Sequence, residues 1–230
     1  MLNQSSGQLP VSSSATTMIE GHSGTRDGRK DYVTPRALEI SEIPGLITDY
    51  KRAAENANAA GFDGVEIHAA NGYLLEQFRC DSVNTRTDKY GGSIENRAPL
   101  IFEVVKAVLS SLPSSKLAIL LSPFGDTFGC KDSNPRKTYG YVVKKLNDYD
   151  LAYLHVIERR GMHADNVDVP VGAWRITSAA STRACSPQPL VLTAPTPCRP
   201  SRTGWPTSWR SDATSSRTRT SSSVCARTQI

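Results

Sequence analysis

Helical and extended patterns alternate along the central part of the chain. Three segments place apolar residues at helical spacing, namely 46–57, 94–109 and 135–149. Three short, largely apolar runs follow them in turn, namely 64–68, 117–121 and 152–157. Because helix and strand alternate with short connections, the pattern predicts a parallel sheet. Such a sheet is either closed as a barrel or open as a doubly wound fold.

Residues at the ends of these segments agree with the predicted boundaries. Pro44 lies near the start of the first helix and Gly61 just past its end, and Ser93 is placed to cap the second helix. The spacing alone does not choose between the two folds. Neither a Gly-x-Gly-x-x-Gly run nor a Gly-Lys-Ser/Thr phosphate loop occurs, so the nucleotide-binding doubly wound folds lose their usual marker.

Composition divides the 230 residues into three zones. Residues 1–35 are rich in Ser, Gly, Thr and charge without an apolar period, which predicts an irregular segment. Residues 36–174 have the composition of a folded domain, and residues 175–230 form a low-complexity tail that is predicted to be disordered. This tail has eight Arg, no Lys and one acidic residue, so the net charge of +5 comes from the tail.

Several classes of protein and partner are not expected. No apolar run is long enough to span a membrane, and the start of the chain lacks a secretory signal, which predicts a cytoplasmic protein. The five cysteines form no Cys-x-x-Cys pair, so no metal site is predicted. The basic tail has too few aromatic residues for stacking on bases, so nucleic acid is not an expected partner.

The candidate chemistry is concentrated after the first predicted strand, at His68, Asn71 and Tyr73. If the chain turns helically after His68, the three-residue step brings His68 and Asn71 to one side. Two donors side by side polarise a carbonyl oxygen, and a nearby phenol can give a proton to a developing carbanion. The alternative is that His68 and Asn71 bond to loop carbonyls and that Tyr73 is a packing residue.

A second candidate is the loop 84–93, which carries alternating charges and a Gly-Gly turn. Two interpretations are open. The loop either cradles a phosphate group or bonds to itself and fixes the helix that follows.

Longer stretches of the sequence resemble a known family. The runs 61–78 and 84–97 closely resemble the old yellow enzyme family of flavin-dependent ene-reductases, and shorter stretches match it at 10–15, 34–38 and 153–158. The resemblance covers roughly residues 10–172. It favours the functional interpretation of both candidate segments.

The resemblance implies a (β/α)8 TIM barrel that binds FMN and is reduced by NAD(P)H. A hydride then passes to the β-carbon of a small-molecule enone, an α,β-unsaturated carbonyl compound. By this resemblance His68 and Asn71 bind the carbonyl oxygen as substrate-binding residues, and Tyr73 is the catalytic proton donor. No cofactor-binding residue and no oligomeric state are predicted.

The sequence also departs from the family. The sequence has no match to the first strands of the family's barrel, and its tail does not resemble the last strands. The prediction is therefore a partial barrel, from a truncated member of the family. Leu120 lies where the resemblance implies an Arg that reaches the flavin, and leucine cannot form charge-assisted bonds. The alternative function is therefore a non-catalytic remnant with impaired or no flavin binding.

The genetic code offers an explanation for the tail. When the codons from Gly204 to Ser221 are read one base out of register, they can encode a sequence similar to the family's final strand and flavin-phosphate loop. We predict that the reading frame shifts between Val171 and Gly204, near Arg175. Sequencing the coding DNA tests this prediction, because an alternative frame full of stop codons would contradict it.

Overall fold

The computed structural model describes residues 7–18 and 21–157, together with the backbone of 227–229. The strands are β1 (Val11–Ser12), β2 (His22–Thr25), β3 (Gly28–Asp31), β4 (Arg36–Ala37), β5 (Gly64–Ala69), β6 (Leu117–Leu121), β7 (Tyr153–Val156) and β8 (Arg227–Gln229). The helices are α1 (Ile43–Ala59), α2 (Leu74–Arg79), α3 (Ile94–Arg97), α4 (Pro99–Leu109) and α5 (Pro135–Leu146). Short 3₁₀ helices cover Ile40–Glu42, Ser114–Lys116, Thr127–Gly129 and Asn147–Tyr149.

A parallel four-stranded sheet in the order β7-β6-β5-β8 forms the centre of the fold. The predicted alternation of helix and strand is confirmed, because α4 connects β5 to β6 and α5 connects β6 to β7. The register places His68 beside Leu120, and Leu120 beside His155. These three side chains therefore lie on the same face of the sheet, towards the carboxyl ends of the strands.

The two faces of the sheet differ in chemistry. Alternate residues of β5 and β6 on one face are fully apolar and belong to the main core with α1, α4 and α5: Val65, Ile67, Ala69, Leu117, Ile119 and Leu121. The other face, called here the polar face, carries Glu66 and His68 of β5 and His155 of β7, and between them the apolar Ala118 and Leu120 of β6. On this face His155 Nδ1 lies 3.2 Å from a carboxylate oxygen of Glu66.

The predicted helix over 94–109 is interrupted in the structure. Ala98 separates α3 from α4, and Pro99 is the first residue of α4, where its missing N–H costs no helical hydrogen bond. The predicted cap is confirmed, because Ser93 Oγ accepts a hydrogen bond from the Asn96 amide at 3.3 Å. The third predicted helix ends at Leu146, and a 3₁₀ turn continues to Tyr149.

The N-terminal zone departs from the prediction of an irregular segment. Strands β2 and β3 form an antiparallel hairpin, and β1 pairs with β4 in parallel. The hairpin residues are exposed or half-buried on both faces. Without a buried face the strands carry no apolar alternation, which explains why the hydrophobic pattern did not predict them.

Most of the predicted basic tail, and the boundary predicted at residue 174, lie outside the described residues. The exception is β8, which pairs with β5 from Gly64 to Glu66. The composition of the tail did not predict this strand. Within the ranges described, no helix is long and apolar enough to cross a membrane.

Candidate functional site

The candidate residues lie at the carboxyl end of β5, where the chain turns into α2. His68 is still in the strand, whose pairing with β6 continues to Ala69. Asn71 and Gly72 then adopt left-handed backbone conformations, with φ of 55° and 73°. The condition of a helical turn after His68 is therefore not met, because strand pairing holds the chain extended past that residue.

The rings of His68 and Tyr73 lie next to each other. Their centroids are 5.1 Å apart and their planes are inclined by 58°. Tyr73 is 47% exposed and also contacts the ring of Phe128, at 5.6 Å between centroids. The structure thus brings an imidazole and a partly exposed phenol together at the carboxyl end of the strand.

The surroundings of His68 favour its uncharged imidazole. Burial lowers the pKa of His68, an effect that the nearby carboxylates of Glu76 and Glu66 partly oppose. Its Nδ1 atom is buried and has no hydrogen-bond partner in the part of the chain that the structure describes. A buried polar atom without a partner is costly, so this position fits a ligand group that would complete its bonding.

The turn itself has room for glycine only. A β-carbon placed on Gly72 would lie 2.2 Å from the Thr127 carbonyl oxygen and 3.0 Å from Phe128 Cβ. Phe128 is held in a left-handed conformation, with φ of 56°, in the 3₁₀ helix that follows β6. The loop after β6 therefore packs directly onto the turn that precedes Tyr73.

A buried polar cluster lies under this turn, and the pattern of the sequence does not predict it. It consists of Glu76, Arg79, Ser122 and Tyr139, all 2% exposed or less. The Glu-x-x-Arg spacing on α2 is the local sign of an ion pair, but charged residues at this spacing usually lie on a solvated surface. Only the packing of β6 and α5 over α2 shows that these residues are buried.

Leu120 bears on the prediction of flavin binding. It pairs in register with His68, is 3% exposed, and lies on the polar face. Its side chain offers apolar contact but no hydrogen bond or charge.

The structure favours the self-bonded interpretation of the loop 84–93. Arg86 donates through Nε to Asp88, at 3.0 Å, and through Nη1 to the carbonyl oxygens of Ser13 and Leu38. The hydrogen bond from Arg86 lowers the pKa of Asp88. Because the Arg86 charge is paired within the protein, this loop has no free cation at Arg86 for a phosphate group.

The chain is also similar in sequence to known proteins. A sequence profile described as the NADH:flavin oxidoreductase / NADH oxidase family matches residues 3–191. The chain is 47% identical over 158 residues to 12-oxophytodienoate reductase 1 of Oryza sativa subsp. japonica, and 44% identical over 153 residues to 12-oxophytodienoate reductase 2 of Arabidopsis thaliana. These matches cover 68% and 66% of the chain, and the chain spans 40% and 41% of those relatives.

The chain is also similar to proteins of known structure. The fold is similar to morphinone reductase, with a TM-score of 0.72 and 40% identity, covering 78% of this chain and 49% of that one. It is also similar to the old yellow enzyme homologue from Zymomonas mobilis, with a TM-score of 0.70 and 38% identity, covering 77% of this chain and 50% of that one.

Proposed function

The chain belongs to the NADH:flavin oxidoreductase / NADH oxidase family, whose cofactors are FMN and a nicotinamide, and on that premise we propose that it is an NAD(P)H-dependent ene-reductase. Its substrates are small α,β-unsaturated carbonyl compounds, in keeping with relatives named for 12-oxophytodienoate and morphinone. The described strands and helices are part of a (β/α)8 barrel. The observation that carries the proposal is the adjacency of His68 and Tyr73 at the carboxyl end of β5.

The residues at this position fit a flavin site in part. Nδ1 of His68, which has no partner among the described residues, is a polar atom that a bound group would satisfy, and the polar face of β5 and β6 lies beside it. His68 and Leu120 are the residues of this face that would contact FMN. When bound, FMN supplies the redox chemistry, taking a hydride from NAD(P)H and passing it to the β-carbon of the substrate.

The side chains of the turn act on the carbonyl compound. His68 and the side-chain amide of Asn71 donate hydrogen bonds to the carbonyl oxygen, where negative charge collects as the β-carbon is reduced. Burial favours the neutral imidazole of His68, which donates a hydrogen bond while keeping its proton. Each such donor contributes about 100-fold to 1,000-fold in rate.

Tyr73 supplies the proton that completes the reduction. The substrate gains a hydride at its β-carbon and the phenolic proton at its α-carbon, and the C=C bond becomes a single bond. The tyrosinate then takes a proton from solvent, to which Tyr73 is open because it is 47% exposed. The balance is one NAD(P)H and one proton consumed for each enone reduced.

The proposal is tested with the purified full chain, FMN, NADPH and 2-cyclohexenone as the probe. We expect cyclohexanone to form in proportion to the NADPH oxidised, and His68→Ala and Asn71→Ala each to lower kcat/KM for the enone by about 100-fold. A protein that carries no flavin after free FMN has been removed, and that forms no cyclohexanone, would contradict the proposal. Such a result would favour a non-catalytic member of the family, as the apolar Leu120 suggests.

A further inference from the structure

We propose that Glu76 is a positioning residue, whose buried carboxylate fixes the turn that carries Asn71 and Tyr73. Ser122, Tyr139 and Arg79 hold that carboxylate in place. The proposal rests on the proposed function in so far as this turn presents the substrate-binding residues. The contacts themselves do not depend on any bound cofactor.

The two backbone N–H groups of the left-handed turn are both linked to Glu76, one directly and one through Ser122. The Gly72 N–H donates directly to Oε2 at 2.6 Å. The Asn71 N–H donates to Ser122 Oγ at 2.8 Å, and the hydroxyl of Ser122 in turn donates to Oε1 of Glu76 at 2.7 Å. On the other side of the turn, Gln77 Nε2 donates to the Gly72 carbonyl oxygen at 2.8 Å.

This bonding holds a conformation that the backbone does not prefer. Asn71 has a φ of 55°, and a non-glycine residue in the left-handed region is stable only when its surroundings fix it there. Charge-assisted hydrogen bonds from backbone N–H groups to a carboxylate are among the strongest that a protein can use for this purpose. Glu76 provides one of them directly and supports the second through a single hydroxyl.

Besides Ser122, side chains from α5 and α2 hold the carboxylate in place. Tyr139 of α5 donates its hydroxyl to Oε1, and Arg79 Nη2 lies 3.3 Å from the same oxygen. Arg79 Nη2 also donates to the carbonyl oxygen of Ala69, the last residue of β5, at 2.9 Å. The cluster thus joins the end of β5, the turn, α2, α5 and the residue that follows β6.

Such a cluster is a poor way to gain stability. Two charges removed from water lose solvation that their attraction repays only in part, and apolar replacements are often neutral or stabilising. The cluster instead fixes the geometry of the turn, because its hydrogen bonds reach the backbone N–H groups of Asn71 and Gly72. We therefore assign it to geometry, and its main consequence is the placement of the next residue, Tyr73.

Tyr73 follows the fixed turn directly. It is the N-cap of α2, and its carbonyl oxygen accepts hydrogen bonds from the amides of Glu76 and Gln77, each at 2.9 Å. A shift of Gly72 therefore displaces Tyr73 relative to His68. A displacement of about 1 Å in a reacting group costs about 100-fold in rate.

The test compares Glu76→Gln with Glu103→Gln in the full chain. Glu103 is a matched control, because its carboxylate accepts a hydrogen bond from the Tyr90 hydroxyl at 2.9 Å and lies outside the cluster. The readout is amide hydrogen exchange at single-residue resolution. We expect exchange of the Gly72 amide to be about 10-fold or more faster in Glu76→Gln, and unchanged in Glu103→Gln. Equal protection of Gly72 in Glu76→Gln and the unsubstituted chain would overturn the proposal.

A second variant covers the case in which Glu76→Gln does not fold. Ser122→Ala removes the hydroxyl that links Asn71 to the carboxylate and leaves the direct bond to Gly72 in place. We expect faster exchange at the Asn71 amide and little change at Gly72. Unchanged exchange at Asn71 would overturn the proposal.

Activity distinguishes this proposal from the proposed function. In a folded Glu76→Gln variant we expect kcat for the enone to fall by about 10-fold to 100-fold, with the rate of reduction by NADPH unchanged. If the unsubstituted chain has no ene-reductase activity, the proposed function fails. The exchange result still decides whether Glu76 fixes the turn.

Discussion

Substitution of Gly72 by alanine tests the packing of the turn at the site. Gly72 has a φ of 73°, and an added β-carbon would lie 2.2 Å from the Thr127 carbonyl oxygen and 2.9 Å from its carbon. Both neighbouring atoms belong to the backbone, so the clash is not relieved by a side-chain rotation.

The magnitude follows from two separate costs. A left-handed backbone costs an alanine about 1–2 kcal/mol relative to glycine. Overpacking adds about 1–3 kcal/mol when neighbouring backbone must move. We therefore expect Gly72→Ala to lower the free energy of unfolding by about 2–5 kcal/mol, a large part of the total for a domain of this size.

Gly61→Ala is the matched control. Gly61 also has a positive φ, 88°, but no atom lies within 4 Å of its added β-carbon. This variant carries the backbone cost alone, so we expect a loss of about 1–2 kcal/mol. Urea unfolding followed by circular dichroism measures both variants. If Gly72→Ala loses no more stability than Gly61→Ala, the loop after β6 does not pack on the turn as described.

Three further predictions concern the site. Tyr73→Phe is expected to slow reoxidation of the reduced protein by an enone about 100-fold while leaving reduction by NADPH unchanged, and equal effects in stopped-flow measurements would remove Tyr73 from the proton-donor role. Leu120→Arg is expected to tighten FMN binding by about 10-fold in a fluorescence titration, whereas Leu120→Met has no such effect; equal Kd values for the two variants would refute this. Because burial lowers the pKa of His68 in the folded chain, the stability it contributes above pH ~6.5 is lost as the pH falls through its folded pKa. We therefore expect His68→Gln to lose less unfolding free energy than the unsubstituted chain between pH 7.5 and 5, and identical losses would contradict this reasoning.

The apolar pattern predicted those elements that bury one face or both. Strand β6 is buried at every position and is a continuous apolar run, whereas α4 buries a stripe with the period of a helix, so both elements are visible in the sequence. The hairpin of β2 and β3 buries no face, so the same method gave no sign of it. Hydrophobic pattern reports burial, and elements without burial need other information.

The sequence predicted that the candidate residues lie at the end of a strand, but it did not predict the backbone of the turn. The position of His68, Asn71 and Tyr73 at the end of a strand followed from local sequence. The left-handed turn depends on pairing with β6 and on contact with Thr127, both distant in the chain. The buried charge of Glu76 likewise depends on Tyr139, which lies 63 residues away. Such non-local contacts are not encoded in the spacing of neighbouring residues.

The proposed function requires this chain to hold FMN against the polar face of β5 and β6, beside His68. The most direct measurement is a titration of the purified full chain with FMN, followed by the change in flavin fluorescence. We expect saturation at one FMN per chain. A signal that grows in proportion to added FMN, without saturation, would contradict it.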